Sequence, residues 1–363
     1  MCYEISKEGK LTPFTPSETD QGIIEAGEDE VMPQIVHTEE QPTNQTIFDM
    51  NNSQKLSHEE ILALRDSGKS VITELIQNSA TFDQKNSFSK IKYIQRKQKK
   101  FARWIRVLPI NSRTLCTHFI EREPHKIMDL RLDTLGQILN LANVQYGGKY
   151  LVMDDTKGML LGSIIERVAP TNYEQKSQIL LVHEEDQYHG HVLQMFNFTK
   201  EQMSVLHEIH VRDCLPEVLE ATPWVPAHSD QEKLKLYAEK IEARRLNFVE
   251  KQERRMAARK SYDEKNFTSI ILAVDPGAYY VESLIDTWYP FLQPGGSLVI
   301  YSSSKESLNP AFYDSLVSDR VTDVFFTESF LRPYQTAEGR MHPMMNCNGH
   351  GGFILKMIKT ITP

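Results

Sequence analysis

The stretch KYLVMDDTKGMLLGSIIERV, Lys149 to Val168, decides the fold. Tyr150 to Met153 form a short apolar run of the length that a buried strand takes. A turn follows, Asp154-Asp155-Thr156-Lys157-Gly158-Met159, and it opens a helix over about 158–168. In a nucleotide- or S-adenosylmethionine-binding α/β fold, this turn carries closely spaced glycines. They let the backbone approach the ligand and seat its charge on the helix N-terminus. Here the turn holds one glycine and two adjacent carboxylates. The pattern predicts the scaffold of an enzyme with a degenerate cofactor loop, so no catalytic or cofactor-binding residue is assigned.

Outward from this stretch the chain alternates. A helix is predicted over 129–143, with Leu130, Leu135, Ile138, Leu139 and Ala142 on one face. Strands follow at 178–184, 267–274, 296–302, 321–328 and 352–359, and helices at 199–211, 280–292 and 309–318. Alternation of this kind implies a mainly parallel sheet covered on both faces. The last two strands are expected to pair antiparallel at an edge. The result is an α/β fold, with a class I methyltransferase-like (Rossmann-like) domain over 126–363. A Pro- and Gly-free charged stretch at about 229–265 is predicted to be a helical insertion, either a solvated arm or one that meets RNA. Fully helical, it would reach roughly 50 Å.

Two further positions of that fold are worth inspection. Glu184-Glu185-Asp186 stands where such enzymes place an acid for the cofactor ribose. Asp275-Pro276-Gly277, with Tyr279 and Tyr280 offset, is a partial echo of the substrate-amine motif of adenine-directed enzymes. His207 and His210 fall in a helical pattern and are expected at its surface.

Before residue 126 the character differs. Residues 1–12 suit part of a hairpin around Gly9. Residues 13–55 are rich in Pro, Glu, Asp, Asn and Gln and are predicted to be largely disordered, as a solvating linker or a partner-binding tail. Residues 57–125 read as a helical region with a smaller α+β character. Ser57 and Glu60 form a capping box. A second helix has Val71, Ile72, Leu75 and Ile76 on one face, and a third is predicted over 87–107. The stretch LPINSRTLCTHFIER, Leu108 to Arg122, reads as strand or loop.

The net charge of −8 conceals an asymmetry. Residues 1–60 carry 13 acids and 3 bases, whereas residues 61–160 carry 17 bases and 9 acids. Four dispersed cysteines, with no CxxC pair, argue against a disulfide framework or a zinc site. No apolar run approaches the roughly 20 residues that span a bilayer, and the N-terminus lacks the apolar core of a signal peptide.

The sharpest positive signal is KIKYIQRKQKKFARWIR. Lys90, Lys92, Arg96, Lys97, Lys99, Lys100, Arg103 and Arg106 stand there with no acid among them. Tyr93, Phe101 and Trp104 interleave. Cations of this density release counterions on meeting phosphates, and rings stack on unpaired bases. The alternative is a solvated face with the aromatics turned inward. The connection at 329–352, SFLRPYQTAEGRMHPMMNCNGHGG, is too long for a bare hairpin and offers Arg332, Tyr334, Arg340 and His342 for RNA or subunit contact. His342 and His350 match no zinc spacing, and no Walker loop, HExxH or serine-nucleophile elbow occurs.

DTLGQILNLANVQYGGKYLVMDDTKGMLLGSIIERV resembles the Gcd10p family, the non-catalytic subunits of eukaryotic tRNA (adenine-N1-)-methyltransferase. So do NSATFDQKNSFSKIKYIQRKQKKF, FTESFLRPYQT and GRMHPMMNCNGHGGFIL, in the same order over about 55–360. The resemblance implies an N-terminal barrel-like and helical region, followed by a methyltransferase-like domain without cofactor binding. It implies a homologous catalytic partner that holds S-adenosylmethionine, in a dimer of heterodimers. It further implies methylation of N1 of adenine 58 in the tRNA T-loop, in the nucleus. By the same resemblance, Lys92 to Arg103 and Arg332 become the leading tRNA contacts, with Arg340 and His342 behind them. YEISKEGKLTP is similar to one late strand of the family's barrel and begins at residue 3, so earlier strands are expected to be missing by truncation or in a shorter isoform. Two rivals stay open on the residues alone: a stand-alone RNA-binding or translation-initiation scaffold, and an active S-adenosylmethionine-dependent enzyme with a variant loop.

Overall fold

A computed structural model describes residues 2–5, 10–15, 54–67, 71–85, 87–101, 104–169, 177–185, 188–214, 238–335, 341–345 and 349–361. The acidic stretch 16–53, Asp186, Arg103 and Arg340 lie outside them. The chain divides into two units, Met1–Pro109 with Arg332–Cys347 and Ile110–Leu331 with Asn348–Pro363.

In the first unit, β1 (Cys2–Ile5) pairs antiparallel with β2 (Leu11–Phe14) and with β3 (Trp104–Arg106). Three helices accompany them: α1 (His58–Ser67), α2 (Val71–Gln77) and α3 (Ser87–Phe101). The Ser57 box forms as read, with Ser57 N donating to Glu60 Oε2 at 2.8 Å and Glu60 N to Ser57 Oγ at 3.3 Å. Ile61, Val71, Leu75 and Phe101 make its small apolar cluster. The helix predicted to reach residue 107 stops at Phe101, because Trp104 to Arg106 are drawn into the sheet beside β1.

The second unit opens with α4 (Ser112–Arg122), which corrects the expectation of strand or loop there. Asn111 caps it: its side chain accepts from Thr114 N at 2.8 Å, while Thr114 Oγ1 accepts from Asn111 N at 3.1 Å. Then come α5 (Leu132–Leu141), β4 (Lys149–Asp154), α6 (Met159–Val168), β5 (Gln178–His183), α7 (His191–Met195) and α8 (Lys200–Met203). β6 (Leu206–His210) lies where a helix was expected. It pairs in parallel with β5, and it carries His207 and His210 on a strand. The long helix α9 (Ala238–Asp263) falls within the predicted insertion. β7 (Phe267–Ala273), α10 (Val281–Trp288), β8 (Leu292–Ser302), α11 (Asn309–Leu316), β9 (Val321–Glu328) and β12 (Phe353–Lys359) complete this unit. The two-residue strands β10 (Tyr334–Gln335) and β11 (His342–Pro343) form a hairpin within the first unit.

The sheet order is β6-β5-β4-β7-β8-β12-β9. The five strands from β6 to β8 are parallel, and β12 runs antiparallel to both its neighbours. The last two strands do pair antiparallel, but β12 is inserted beside β8 and β9 alone forms that edge. Successive residues of β4 face opposite sides, as a strand requires. Tyr150 and Val152 join Leu135, Ile138, Leu160, Ile164 and Leu193 on one face. Leu151 and Met153 join Ala258, Val281, Ile285 and Trp288 on the other. Both sides of β4 are thus covered, which explains its unbroken apolar sequence.

The start and end of the 329–352 connection are fastened to the entry of α5. Buried Arg131 donates from Nε and Nη2 to Asp133 at 2.6 Å each, from Nη1 to Gly349 O and from Nη2 to Ser329 O, both at 3.1 Å. Thr134 Oγ1 donates to Gly351 O at 2.8 Å. Replacing Arg131 with Ala strips the pair from one side and leaves two carbonyls unmet. It is expected to lower the unfolding free energy by about 3 kcal/mol, seen as a lower urea midpoint at unchanged slope.

Candidate functional site: the closed loop after β4 and the cationic helix

The turn between β4 and α6 is built around Asp154. Its buried carboxylate accepts through Oδ1 from Thr156 N at 2.8 Å and Thr156 Oγ1 at 2.5 Å. Oδ2 accepts from Leu161 N at 2.9 Å and from the Tyr188 hydroxyl at 3.5 Å. Thr156 Oγ1 in turn accepts from Leu160 N at 3.0 Å, and Thr156 O accepts from Met159 N at 3.2 Å. A helix leaves its first N–H groups without intrahelical partners. In α6 those of Met159, Leu160 and Leu161 are all met by this turn. Thr156, Met159, Leu160 and Leu161 are fully buried, so side chains fill the space that glycines would leave open.

The neighbouring segment closes over the same place. Val192 N donates to Lys157 O at 3.0 Å, tying α7 to the turn. Gly158 sits at φ +95°, and a Cβ there would fall 2.6 Å from the Leu193 Cβ, which is why the single glycine is here. A Cβ on Gly162 would collide with the Phe196 ring.

Asp155 joins the ends of two strands: its N donates to Ala273 O at 3.0 Å, and its Oδ2 accepts from Asp275 N at 2.9 Å. The Asp275 motif is therefore held by this second carboxylate. Glu185 lies 3.7 Å from Lys157 Nζ and accepts from His189 N at 3.0 Å, so it closes its own loop. Burial raises the Asp154 and Asp155 carboxyl groups above the ordinary aspartate value. The Tyr279 hydroxyl is pushed up to about 12, first by burial and then by Asp155 and Glu184. Acidic side chains, Asp154, Asp155, Glu184, Glu185 and Asp275, thus gather at the C-terminal ends of β4, β5 and β7, where this fold otherwise seats its ligand. Among the described residues no cluster of three His, Cys, Asp or Glu is placed to hold a metal ion, and no helix is long and apolar enough to cross a membrane.

The second candidate is α3. Tyr93 and Phe101 are engaged within the unit rather than offered to bases. Phe101 is buried in the small cluster, and Tyr93 packs edge-on against Phe82 at 5.5 Å. The cations lie over these rings instead: Lys90 Nζ is 5.6 Å from the Phe82 ring, Lys97 Nζ 5.3 Å from Tyr93, and Lys100 Nζ 5.3 Å from Phe101. Lys92, Arg96 and Lys100 are exposed. Burial, then repulsion from Lys100 and Arg96, lowers the Lys97 ammonium below the ordinary lysine value. Lys99 lies within the helix. Arg332 donates from Nε to Met344 O at 3.4 Å, beside the β10–β11 hairpin that presents exposed Tyr334 and His342. These residues belong to the same unit as α3.

Five parallel strands continued by the single reversed strand β12 and then by β9, with the switch point between β4 and β7, define a class I methyltransferase-like domain. The chain belongs to the Gcd10p family, whose sequence profile matches residues 2–245. Three similar proteins carry the name tRNA (adenine(58)-N(1))-methyltransferase non-catalytic subunit TRM6. The one from Debaryomyces hansenii is 30% identical, with 86% of this chain and 66% of that protein covered. The Mus musculus protein is 26% identical over 86% and 72%, and the Schizosaccharomyces pombe protein 27% over 89% and 77%. The chain thus spans about two thirds to three quarters of these relatives' length. Among solved structures, the tRNA (m1A58) methyltransferase TrmI from Aquifex aeolicus is 10% identical, with a TM-score of 0.44 over 70% of this chain and 77% of that one.

Removing the Asp154 carboxylate strands several buried donors at once. Asp154→Ala is expected to cost about 2–3 kcal/mol, and Asp154→Asn less. A carboxyl whose folded pKa is raised keeps its proton longer in the folded chain than in the unfolded one. Its contribution to stability therefore falls as pH rises from the ordinary aspartate value through the folded one. Asparagine cannot ionise, so the stability of Asp154→Asn relative to the parent is expected to improve with pH across that interval, measured by urea melts from pH 4 upward.

Proposed function

We propose that this chain is a non-catalytic subunit of a tRNA N1-methyladenosine methyltransferase acting at position 58. It contacts tRNA and scaffolds a homologous catalytic subunit, in a nuclear dimer of heterodimers. The observation that carries this reading is the self-capped turn at Asp154–Met159. S-adenosylmethionine carries a carboxylate that calls for positive potential and free N–H groups. The residues present suit it poorly, because the turn offers two acids and no cation at Asp154 and Asp155, and Asp154 and Thr156 already engage the α6 donors. On this reading the chain is a pseudoenzyme, and its partner holds the methyl donor. Membership of the Gcd10p family and the printed names of its relatives support the assignment.

The RNA-facing part rests on charge. Lys90, Lys92, Arg96, Lys97, Lys99 and Lys100 on one acid-free helix form a phosphate-binding track. Arg332, Tyr334 and His342 on the hairpin of the same unit add to it, and Arg103 and Arg340 belong to it by sequence. With Tyr93 and Phe101 committed to packing, phosphate contact rather than base stacking is the expected mode.

Isothermal titration of the purified chain with S-adenosylmethionine is expected to show no heat of binding. A micromolar dissociation constant would remove the pseudoenzyme reading. Lys97→Glu combined with Lys100→Glu is expected to weaken tRNA binding of the assembled complex roughly tenfold at low salt and to reduce the salt slope by about 2. Unchanged affinity and slope would take α3 out of the interface.

A further inference from the structure

Helix α9 has two dissimilar ends. Toward its C-terminus it is held on the sheet beside β6 and β5. Ala258 and Ser261 are buried there, Arg255 Nε donates to Asp213 Oδ2 at 2.7 Å, and Arg259 Nη1 donates to Asp213 O at 2.6 Å. Toward its N-terminus, residues 242–247 are exposed in succession. At roughly 100° per residue, half-buried Phe248, Gln252, Arg255 and Tyr262 mark the inward face of the helix.

A different face carries three large apolar side chains in water. Leu246 is 60% exposed, Val249 39% and Met256 45%. They fall at i, i+3 and i+10, with Glu253 filling i+7. This is the spacing of the a and d positions in a seam between two helices. Single exposed apolar residues are ordinary on a protein surface. Three aligned over roughly 15 Å of one helix make a stripe of the kind that a second helix covers. Exposed Glu242 and Glu253 stand in line with the stripe, and exposed Glu250 lies beside it. Lys260 closes its C-terminal end, while Arg244 and Lys251 project from another side of the helix.

These charges select the occupant. Three carboxylates repel the phosphates of a nucleic acid. A second copy of α9 also fits poorly. Paired parallel, Glu253 meets Glu253 and Lys260 meets Lys260. Paired antiparallel about Lys251, Leu246 meets Met256, but the two Glu253 side chains enter adjacent central layers. Like charges placed in this way destabilise a helix pair.

We propose that the Leu246–Val249–Met256 stripe of α9 docks an amphipathic helix of another protein, one whose apolar a and d residues are flanked by Lys or Arg. Its apolar side chains cover the stripe, and its cations meet Glu242, Glu250 and Glu253. Glu250 and Glu242 already hold Arg254 at 2.6 Å and Arg245 at 3.4 Å within α9. Those pairs are exposed, so sharing or displacing them costs little. The stripe lies wholly in the second unit and uses neither α3 nor any RNA contact, so the docking goes beyond the tRNA reading.

Fluorescence anisotropy of a labelled synthetic helical peptide, titrated with the full chain, tests the docking. The peptide has Leu at a and d and Lys at e and g, and a control has Glu at e and g. The Lys peptide is expected to bind, with an affinity that falls as salt rises. Leu246→Asp combined with Val249→Asp is expected to weaken it roughly tenfold or more. Both positions are exposed, so an unchanged urea midpoint separates loss of the surface from loss of the fold. Glu250→Lys combined with Glu253→Lys is expected to reverse the preference, so that the Glu peptide binds more tightly. Equal binding of the two peptides by the parent chain, no binding of the Lys peptide, or an affinity untouched by the Leu246 and Val249 changes overturns the inference. So does a peptide-free chain that sediments as a dimer which these changes dissociate, because a second copy is then the occupant. None of these outcomes bears on the S-adenosylmethionine or tRNA tests, so the two readings fail separately.

Discussion

The buried carboxylate of Asp154 is the interaction on which the second unit turns. It ends β4, caps α6, and receives Tyr188 from the loop after β5. Isolating a carboxylate from water is costly unless donors surround it, and here three backbone or hydroxyl donors do so within 2.9 Å. The same bonds that solvate the acid inside the protein satisfy the helix terminus. A ligand arriving at that terminus would have to replace interactions the chain already makes with itself. Asp155 extends the arrangement sideways, so that the ends of β4 and β7 are tied where a cofactor would otherwise join them.

Selection for a scaffold and selection for a binding site ask different things of this turn. A binding site needs backbone left exposed, which is why glycine is used and why stability is lost there. A scaffold can fill that gap. Thr156, Met159 and Leu160 do so with fully buried side chains, and Leu193 and Phe196 press on the two positions, Gly158 and Gly162, that retain glycine. These two glycines thus serve packing between α6 and the segment at α7.

Much of this was legible in the residues, and the reasons for the exceptions are physical. The parallel strands β4, β5, β7 and β8 are continuous apolar runs because helices cover both faces, and such runs are visible in any register. β6 is not: LHEIH sets its two apolar residues, Leu206 and Ile209, three apart as a helix would, and only its pairing with β5 makes it a strand. β3 was missed for a related cause, since its partner lies about a hundred residues away in β1 and propensity favoured extending α3. α4 carried a readable signal that Pro109 obscured, namely the Asn111 and Thr114 caps. The basic helix was legible as charge but not as geometry. Aromatic residues spaced among cations suit base stacking and core packing equally well, and only the contacts of Tyr93 with Phe82 and of Phe101 with Leu75 separate the two.

That distinction also reshapes how the cationic surface works. With the rings facing inward, the cations are splayed over their outer faces, and Lys90, Lys97 and Lys100 are held by aromatic surface rather than by carboxylates. Cation–π contact of this kind stabilises an ammonium by about 0.5–1 kcal/mol at exposed sites, less than a charge-assisted hydrogen bond to phosphate or carboxylate offers. The helix is therefore stable enough to exist with its charges unneutralised by partners on the same helix, yet gains when an anion arrives.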